Sequence, residues 1–192
     1  NKESDICNPL NYYGKTKLEG ENEIRKLDNY LILRSNVLYG FESLNSLKSR
    51  SKYTKSINFA LWILTNLNKN EQLRIVDDQI SNPTYVDNLV KIIFDCLKKN
   101  INGIFHATDI TCINRYEFTK KVASKFGFSD DLISNISSNE LNQFAKRPLN
   151  TCLDCSKLIQ TGVQLSSLDE SLEKLYNQIN KFDSTLIHNT MK

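Results

Sequence analysis

The sequence predicts an α/β fold with a mainly parallel sheet, joined to a smaller part of mixed α+β structure. The first observation behind this prediction is that helical repeats and short apolar runs alternate through the first half of the chain, which is typical of βαβ units. Residues 12–28 carry apolar side chains at helical spacing, and the apolar run 30–34 suits a buried strand of a parallel sheet. The second observation is that the later elements lose this alternation, which predicts the mixed part.

The next elements continue the alternation. A polar stretch over residues 41–56 is rich in Ser and Lys, has no apolar period and is interpreted as a surface loop. Apolar residues then recur at helical steps over 57–67, and residues 73–76 alternate as a strand does. Thr84 is a candidate N-cap for an amphipathic helix that ends near Lys99.

The C-terminal half contains a strand, two helices and a polar end. Residues 103–107 suit a buried strand, and Asn114 is a candidate N-cap for a helix that Gly127 stops. Residues 165–182 carry an apolar stripe at helical spacing, which predicts a C-terminal helix. Residues 183–192 are polar, and we expect this tail to fray.

The composition argues against membrane anchoring, secretion and nucleic-acid binding. The chain has 192 residues, with 25 Lys and Arg against 22 Asp and Glu, a net charge of +3 that is spread along its length. No stretch approaches the ~18 consecutive apolar residues of a membrane span, and at the start no charged segment precedes an apolar one, so we expect neither anchoring nor secretion.

The cysteines favour a reducing, cytoplasmic location and no metal site. The five cysteines form an odd set at irregular spacing in a chain long enough to build a core without disulfides. Cys152 and Cys155 form a C-x-x-C, but a structural zinc site requires four ligands, and no second pair follows.

The start of the sequence predicts a fragment. It begins at Asn1 rather than at Met, and it has only six glycines. Neither G-x-G-x-x-G nor G-x-x-x-x-G-K-[ST], the turns that cradle phosphate groups, occurs in it. A nucleotide site within these residues would therefore be incomplete.

Tyr13 and Lys17 form a candidate catalytic pair. Four residues apart on a helix, they lie on one face, where an ammonium can stabilise a phenolate that exchanges a proton with a carbonyl or alcohol oxygen. The spacing is not specific, because Tyr116 and Lys120 repeat it in an ordinary amphipathic helix. The spacing therefore leaves two interpretations open, a catalytic pair and a solvated helix face. For a catalytic pair, we expect the two side chains to face a cleft.

The residues around this pair resemble a known superfamily. N-P-L-N-Y-Y-G-K-T-K-L-E-G-E at 8–21 and L-I-L-R-S-N-V-L-Y-G at 31–40 are similar to extended short-chain dehydrogenases/reductases from their catalytic helix onward. Three further runs continue in order and look like dTDP-4-dehydrorhamnose reductase and its relatives: D-Q-I-S-N-P-T-Y-V-D at 78–87, G-I-F-H at 103–106 and R-P-L-N at 147–150.

The resemblance implies a Rossmann-type domain that binds NADPH or NADH and a smaller lobe that holds a nucleotide-sugar substrate. Residues 1–36 and 86–110 would be the remnant of the dinucleotide-binding domain, residues 37–85 and 111–182 the substrate-binding lobe, and residues 183–192 a polar tail. The glycine-rich turn and an upstream Ser/Thr catalytic partner would precede this sequence, and the complete protein could be a homodimer.

The resemblance also implies roles for individual residues. Tyr13 would donate a proton to a C4 carbonyl, and Lys17 would assist it and bind the nicotinamide ribose. Ser35 and Asn36 would lie near the nicotinamide, just beyond the strand at 31–34, where open α/β sheets bind ligands.

Two further residues are candidates for contact with substrate, each with a structural alternative. Asn58 would face the sugar nucleotide, or is simply a polar residue at a helix N-terminus. Arg147 would meet the diphosphate, or forms a structural ion pair. Tyr85 and His106 are interpreted as packing residues rather than as ligand contacts.

One departure and one second resemblance leave the substrate and the function class open. Val37 stands where the bacterial reductases have a tryptophan against the sugar, and the loop at 41–56 is longer than theirs. Residues 103–128 and 145–162 also resemble the regulatory beta subunit of methionine adenosyltransferase, which predicts a non-catalytic binding module as the alternative function.

Overall fold

The structure is a computed structural model that describes residues 1–41, 58–141 and 144–182. Apart from Phe41, the predicted loop over residues 41–56 lies outside the described residues, and so does the predicted tail over 183–192.

The helices and strands alternate as the sequence predicts. In chain order they are α1 (Tyr12–Ile24), β1 (Leu31–Arg34), β2 (Leu38–Tyr39), α2 (Phe59–Leu67), β3 (Leu73–Val76), β4 (Ile80–Ser81), β5 (Thr84–Tyr85), α3 (Val86–Lys98), β6 (Gly103–His106), β7 (Ile113–Asn114), α4 (Arg115–Lys125), β8 (Ile133–Ile136), α5 (Ser156–Ile159) and α6 (Leu168–Phe182). The predicted long elements are all present, with ends that shift by about one helical turn. The short strands were not predicted.

Parallel strand pairs dominate, which confirms the predicted α/β class. β1 pairs with β6 in parallel, β2 with β5 and β3 with β8, whereas β4 and β7 are antiparallel. In the β1–β6 pair Leu31 lies opposite Gly103 and Arg34 opposite His106, so the carboxyl ends of both strands lie at the same edge.

The buried apolar residues form two separate clusters. The larger one lies among α2, α4 and α6, and includes Leu61, Leu64, Phe118, Leu172 and Leu175. The smaller one packs α3 and α5 against the β1–β6 pair, and includes Ile92, Cys96, Phe105, Leu158 and Val163.

Asparagine side chains cap the starts of α1 and α4, and one predicted cap is wrong. Asn11 and Asn114 each accept a hydrogen bond from a backbone N–H in the first turn of α1 and α4. At α3 the cap position is held by Tyr85, which makes no side-chain cap. The hydroxyl of Thr84 instead donates to the carbonyl of Asn82 at 2.9 Å, because Thr84 belongs to strand β5.

Cys112 and Cys152 form a disulfide that the irregular spacing of the cysteines did not predict. Their Cα atoms lie 5.7 Å apart although 40 positions separate them in sequence. Cys155 is a buried free thiol, so the C-x-x-C does not act as a unit.

Within the described ranges, no three His, Cys, Asp or Glu side chains come together as metal ligands would. No helix in those ranges has both the length and the apolar character to span a membrane.

Candidate active site

Tyr13 and Lys17 lie on one face of α1. The ammonium nitrogen of Lys17 is 5.5 Å from the centroid of the Tyr13 ring, and Tyr13 is 70% exposed. A cavity of about 560 Å³ lies elsewhere, beside the N-terminal segment, β6 and α5, and neither residue lines it. That the pair faces a cleft therefore stays a prediction.

The second Tyr/Lys pair shows what distinguishes the first. Lys120 lies 5.4 Å from the Tyr116 ring, so the contact itself does not mark a catalytic pair. However, Tyr116 packs against the larger apolar cluster, and Lys120 lies 3.9 Å from a carboxylate oxygen of Glu117. Lys17 has no salt bridge to any described residue, so its ammonium is available to a ligand.

None of the residues of α1 is buried in the described structure, so apolar packing does not hold this helix in place. An ion pair and a hydrogen bond attach it to the rest of the molecule. Arg34 on β1 donates to both carboxylate oxygens of Glu21, at 2.8 and 2.7 Å. Asn11 donates to the carbonyl of Lys146 at 3.0 Å. These contacts place Tyr13 relative to β1 and to the segment that carries Arg147.

Ser35 and Asn36 follow the carboxyl end of β1, as the sequence predicts. Ser35 is exposed. The amide nitrogen of Asn36 donates to the carbonyl of Thr151 at 2.6 Å, whereas its buried oxygen receives no hydrogen bond from the described residues. A buried acceptor without a donor is costly, so this oxygen suits a donor group on a ligand.

Asn58 acts as the N-cap of α2. Its side-chain oxygen accepts from the N–H of Leu61 at 3.3 Å, and its amide nitrogen donates to the carbonyl of Gly40 at 2.8 Å. The contacts of Asn58 in this structure are therefore those of a polar residue at a helix N-terminus, the structural alternative given for it. One N–H of the amide is left for another partner.

Arg147 is exposed, and it forms no salt bridge with a described residue, in contrast to the ion pair considered for it. Sequence reasoning missed a second arginine, Arg115, whose pKa the charge of Arg147 affects. Arg115 is partly buried at the start of α4, with its guanidinium 5.2 Å from the Phe59 ring centroid. Burial, and then the charge of Arg147, lower the pKa of Arg115.

No sequence motif marks Arg115, because its position relative to Arg147 depends on a tertiary arrangement. Strand β4 lies between the two segments: Ile80 is opposite Asn114 on one side and forms a bridge with Asn150 on the other. Such long-range pairing of very short strands leaves no periodic signal.

His106 and Tyr85 are buried, in agreement with their interpretation as packing residues. Burial lowers the pKa of His106 despite the opposing charge of Glu3, and its Nδ1 lies 3.1 Å from the carbonyl oxygen of Asp154. Burial likewise raises the pKa of Tyr85, whose hydroxyl donates to Gln178.

A Tyr-x-x-x-Lys helix leads into a parallel strand, and polar side chains follow the carboxyl end of that strand. This arrangement fits an extended short-chain dehydrogenase/reductase. The protein chain belongs to the family described as RmlD substrate binding domain, which matches residues 1–181.

Relatives with two different functions match the chain. It is 30% identical over 187 residues to dTDP-4-dehydrorhamnose reductase of Aggregatibacter actinomycetemcomitans, covering 91% of this chain and 59% of that protein. It is 32% identical over 171 residues to methionine adenosyltransferase 2 subunit beta of Bos taurus, covering 84% of this chain and 47% of that protein.

The structure matches a reductase of the same family. Dehydrorhamnose reductase from Bacillus anthracis str. Ames, crystallised in complex with NADP, superposes with a TM-score of 0.79 and 27% identity. The match covers 92% of this chain and 59% of that one. The chain thus spans less than two thirds of the length of these relatives.

Proposed function

We propose that the protein reduces a 4-keto nucleotide sugar with NADPH or NADH as cofactor. The observation that carries this proposal is the Tyr13–Lys17 pair on α1, which the Arg34–Glu21 ion pair holds beside the parallel strand β1. Membership of the family and the likeness to reductases from two bacteria support the same reaction.

In the proposed mechanism, the hydroxyl of Tyr13 donates its proton to the C4 carbonyl oxygen of the sugar. The ammonium of Lys17, close to the ring, stabilises the phenolate that remains. When bound, the nicotinamide cofactor supplies the hydride that C4 receives. Hydride at carbon and proton at oxygen together convert the ketone into an alcohol, so atoms and charge balance once solvent returns a proton to Tyr13.

Lys17, Ser35 and Asn36 would hold the cofactor. Lys17 can donate to ribose hydroxyls because no described carboxylate engages it. The unpaired oxygen of Asn36 can accept from an amide N–H, and the hydroxyl of Ser35 is exposed beside it. The donor and acceptor groups present therefore fit a nicotinamide nucleoside.

Arg147 and Asn58 would contact the substrate. The exposed guanidinium of Arg147 can donate two parallel hydrogen bonds to a phosphate group. Asn58 would use the amide hydrogen that Gly40 does not engage.

We further propose that residues 1–36 and 86–110 belong to the dinucleotide-binding domain, and residues 37–85 and 111–182 to the substrate-binding lobe. The two separate apolar clusters support this division. Leu158 and Val163 pack with the first domain although both fall in the second range. A cytoplasmic location and a homodimer belong to the same proposal.

A regulatory, non-catalytic role is the second candidate function. The observation in its favour is that the bovine beta subunit is 32% identical to this chain over 171 residues, compared with 30% over 187 residues for the bacterial reductase. Such a module could retain the Tyr/Lys pair without using it.

Turnover by the full-length protein distinguishes the two functions. Oxidation of NADPH and NADH is followed at 340 nm with a panel of 4-keto nucleotide sugars that begins with dTDP-4-dehydrorhamnose, and the alcohol product is confirmed by mass spectrometry. We expect stoichiometric oxidation with at least one substrate. Absence of turnover across the panel, by a folded protein that binds the cofactor, would contradict the reductase and favour the regulatory module.

A further inference from the structure

The disulfide between Cys112 and Cys152 is at odds with the location that the cysteine spacing predicts. The odd, irregular set of cysteines favours a reducing compartment, yet these two residues are bonded in the structure. Disulfides of proteins in reducing compartments are usually transient and serve catalysis or redox sensing. For the cytoplasmic location proposed above, this bond is therefore better suited to a redox response than to permanent bracing.

The bridge is accessible from outside the molecule and not from its own third cysteine. Cys112 is exposed, and Cys152 is partly buried. Cys155 is buried, and burial raises the pKa of its thiol. Because a thiolate is the attacking species in disulfide exchange, Cys155 is poorly suited to open the bridge from within. A small thiol from solution can reach the bridge at Cys112.

The chain that ends at the bridge forms a strap, residues 146–153, which belongs to no helix or strand of the described structure. Hydrogen bonds attach it to separate elements. The N–H of Ile80 on β4 donates to the carbonyl of Leu149 at 2.7 Å, and the N–H of Thr151 donates back to Ile80 at 3.0 Å. Asn11 donates to the first carbonyl of the strap at 3.0 Å. A segment held by so few backbone bonds opens locally at low cost, so the covalent bond limits its motion.

The strap also orients the side chain of Asn36. The amide nitrogen of Asn36 donates to the carbonyl of Thr151 at 2.6 Å, and Thr151 directly precedes the bridged Cys152. This hydrogen bond engages the nitrogen end of the amide and leaves the buried oxygen without a donor among the described residues. Movement of Thr151 would break the bond and let the amide rotate. The direction of the unpaired oxygen therefore depends on the strap.

We propose that Cys112 and Cys152 form a redox-responsive site, whose bridge holds the strap against Asn36 and thereby favours binding of the nicotinamide cofactor. The effect on the cofactor rests on the proposed function, in which Asn36 contacts the nicotinamide. The bridged protein binds the cofactor more tightly, and reduction of the bridge loosens the strap and weakens binding. The reacting partner is a low-molecular-weight thiol in its reduced or oxidised form.

Reduction of the bridge consumes two thiol molecules. The first thiolate attacks the sulfur of Cys112, the bond to Cys152 breaks, and Cys152 leaves as a thiolate that takes up a proton. A second thiolate attacks the external sulfur of the mixed disulfide, and Cys112 leaves and is protonated in turn. The bridge thus gains two electrons and two protons, while the two thiols become one disulfide. The reverse exchange with the oxidised thiol closes the bridge.

Hydrogen exchange of the full-length wild type tests the strap without a variant or a ligand. We expect reduction of the bridge to speed amide exchange in residues 146–153 by about 10-fold, because the covalent bond no longer limits local opening. Helix α3, which packs in the smaller apolar cluster away from the bridge, should exchange at the same rate in both states. Unchanged exchange in the strap would overturn the proposal.

Calorimetry of the full-length protein with NADP⁺ and NAD⁺ measures the effect on the cofactor. We expect the bridged wild type to bind one of them about 3- to 10-fold more tightly than the reduced protein, the net value of about one hydrogen bond. Oxidised glutathione should restore the affinity. Cys112→Ser should show the affinity of the reduced protein under both conditions.

Cys7→Ser is the matched control, because it removes an exposed free thiol and leaves the bridge intact. This variant should keep the full redox response. A response that disappears in Cys7→Ser, or that persists in Cys112→Ser, would overturn the proposal, since it would arise from a thiol outside the bridge.

Turnover of 4-keto nucleotide sugars separates this inference from the proposed function. Turnover with equal cofactor affinity in the bridged and the reduced state would keep the reductase and overturn the redox-responsive site. A strap that loosens on reduction, in a folded protein without cofactor binding or turnover, would remove the proposed function and the cofactor effect. It would leave only the redox response of the strap.

Discussion

Arg34 and Glu21 form an ion pair with two hydrogen bonds between α1 and β1. The guanidinium of Arg34 holds the pKa of Glu21 below its ordinary value of 4.5, with hydrogen bonding as the largest cause. The two side chains are 16% and 18% exposed, so water screens the pair only in part. The position of the proposed catalytic tyrosine therefore depends on a charged pair and not on apolar packing.

Replacing Glu21 with Gln should lower the free energy of unfolding at pH 7 by about 1–2 kcal/mol. A depressed pKa contributes stability that is fully present above the unfolded value near 4.5 and is lost as the pH falls through the lower folded value. Urea unfolding at pH 7 and pH 3 measures the difference between wild type and variant, which should shrink at the lower pH.

The matched control on the same helix is Glu23→Gln. Glu23 pairs with Lys26, but both side chains are about two thirds exposed, so we expect almost no change in stability. Equal effects of the two substitutions, or a Glu21 effect that is independent of pH, would show that the Arg34 pair does not anchor α1.

Among the helices and strands, those with a strong local sequence pattern were predictable. The pairings of very short strands were not. Residues 73–76 and the cap at Asn114 were predicted because alternation and capping are encoded in neighbouring residues. Strands β4 and β7 have two residues each, too few to show a period, and their pairing joins distant parts of the chain. Arg115 directly follows one of those strands, and its position in the fold therefore left no sequence signal.

The disulfide between Cys112 and Cys152 closes a loop of 40 residues beside those strands. Chain entropy predicts that Cys112→Ser lowers the free energy of unfolding by about 2–4 kcal/mol under oxidising conditions. Denaturant unfolding with and without a reductant measures this, and reduction of the wild type should remove the difference. Cys7→Ser, at an exposed free cysteine, is the control.

Thiol titration of the protein as isolated from cells completes this test. Two fewer reactive thiols in the unfolded wild type than in a reduced sample would show that the bond forms in its native location. A full set of free thiols, with equal stability of wild type and Cys112→Ser, would contradict the bridge and agree with the reducing cytoplasm that the cysteine spacing predicts.

For the whole molecule, the α/β class and the family were accessible from sequence because ordered motifs extend along most of the chain. The geometry of the site was not accessible from the sequence, because Tyr13 is exposed on a helix that has no buried residues. Spacing could not separate Tyr13 from Tyr116, and in the structure their rings lie at similar distances from a lysine, 5.5 and 5.4 Å. What differs is packing, since only Tyr116 joins the apolar core.

The central claim, that Tyr13 donates the proton, is tested most directly by the kcat of Tyr13→Phe in the full-length protein. Tyr116→Phe is the matched control, because it removes a hydroxyl at the same spacing from a lysine. We predict that Tyr13→Phe lowers kcat by about 10²- to 10⁴-fold with little change in cofactor affinity, while Tyr116→Phe keeps wild-type turnover. Equal kcat values for wild type and Tyr13→Phe would contradict the account.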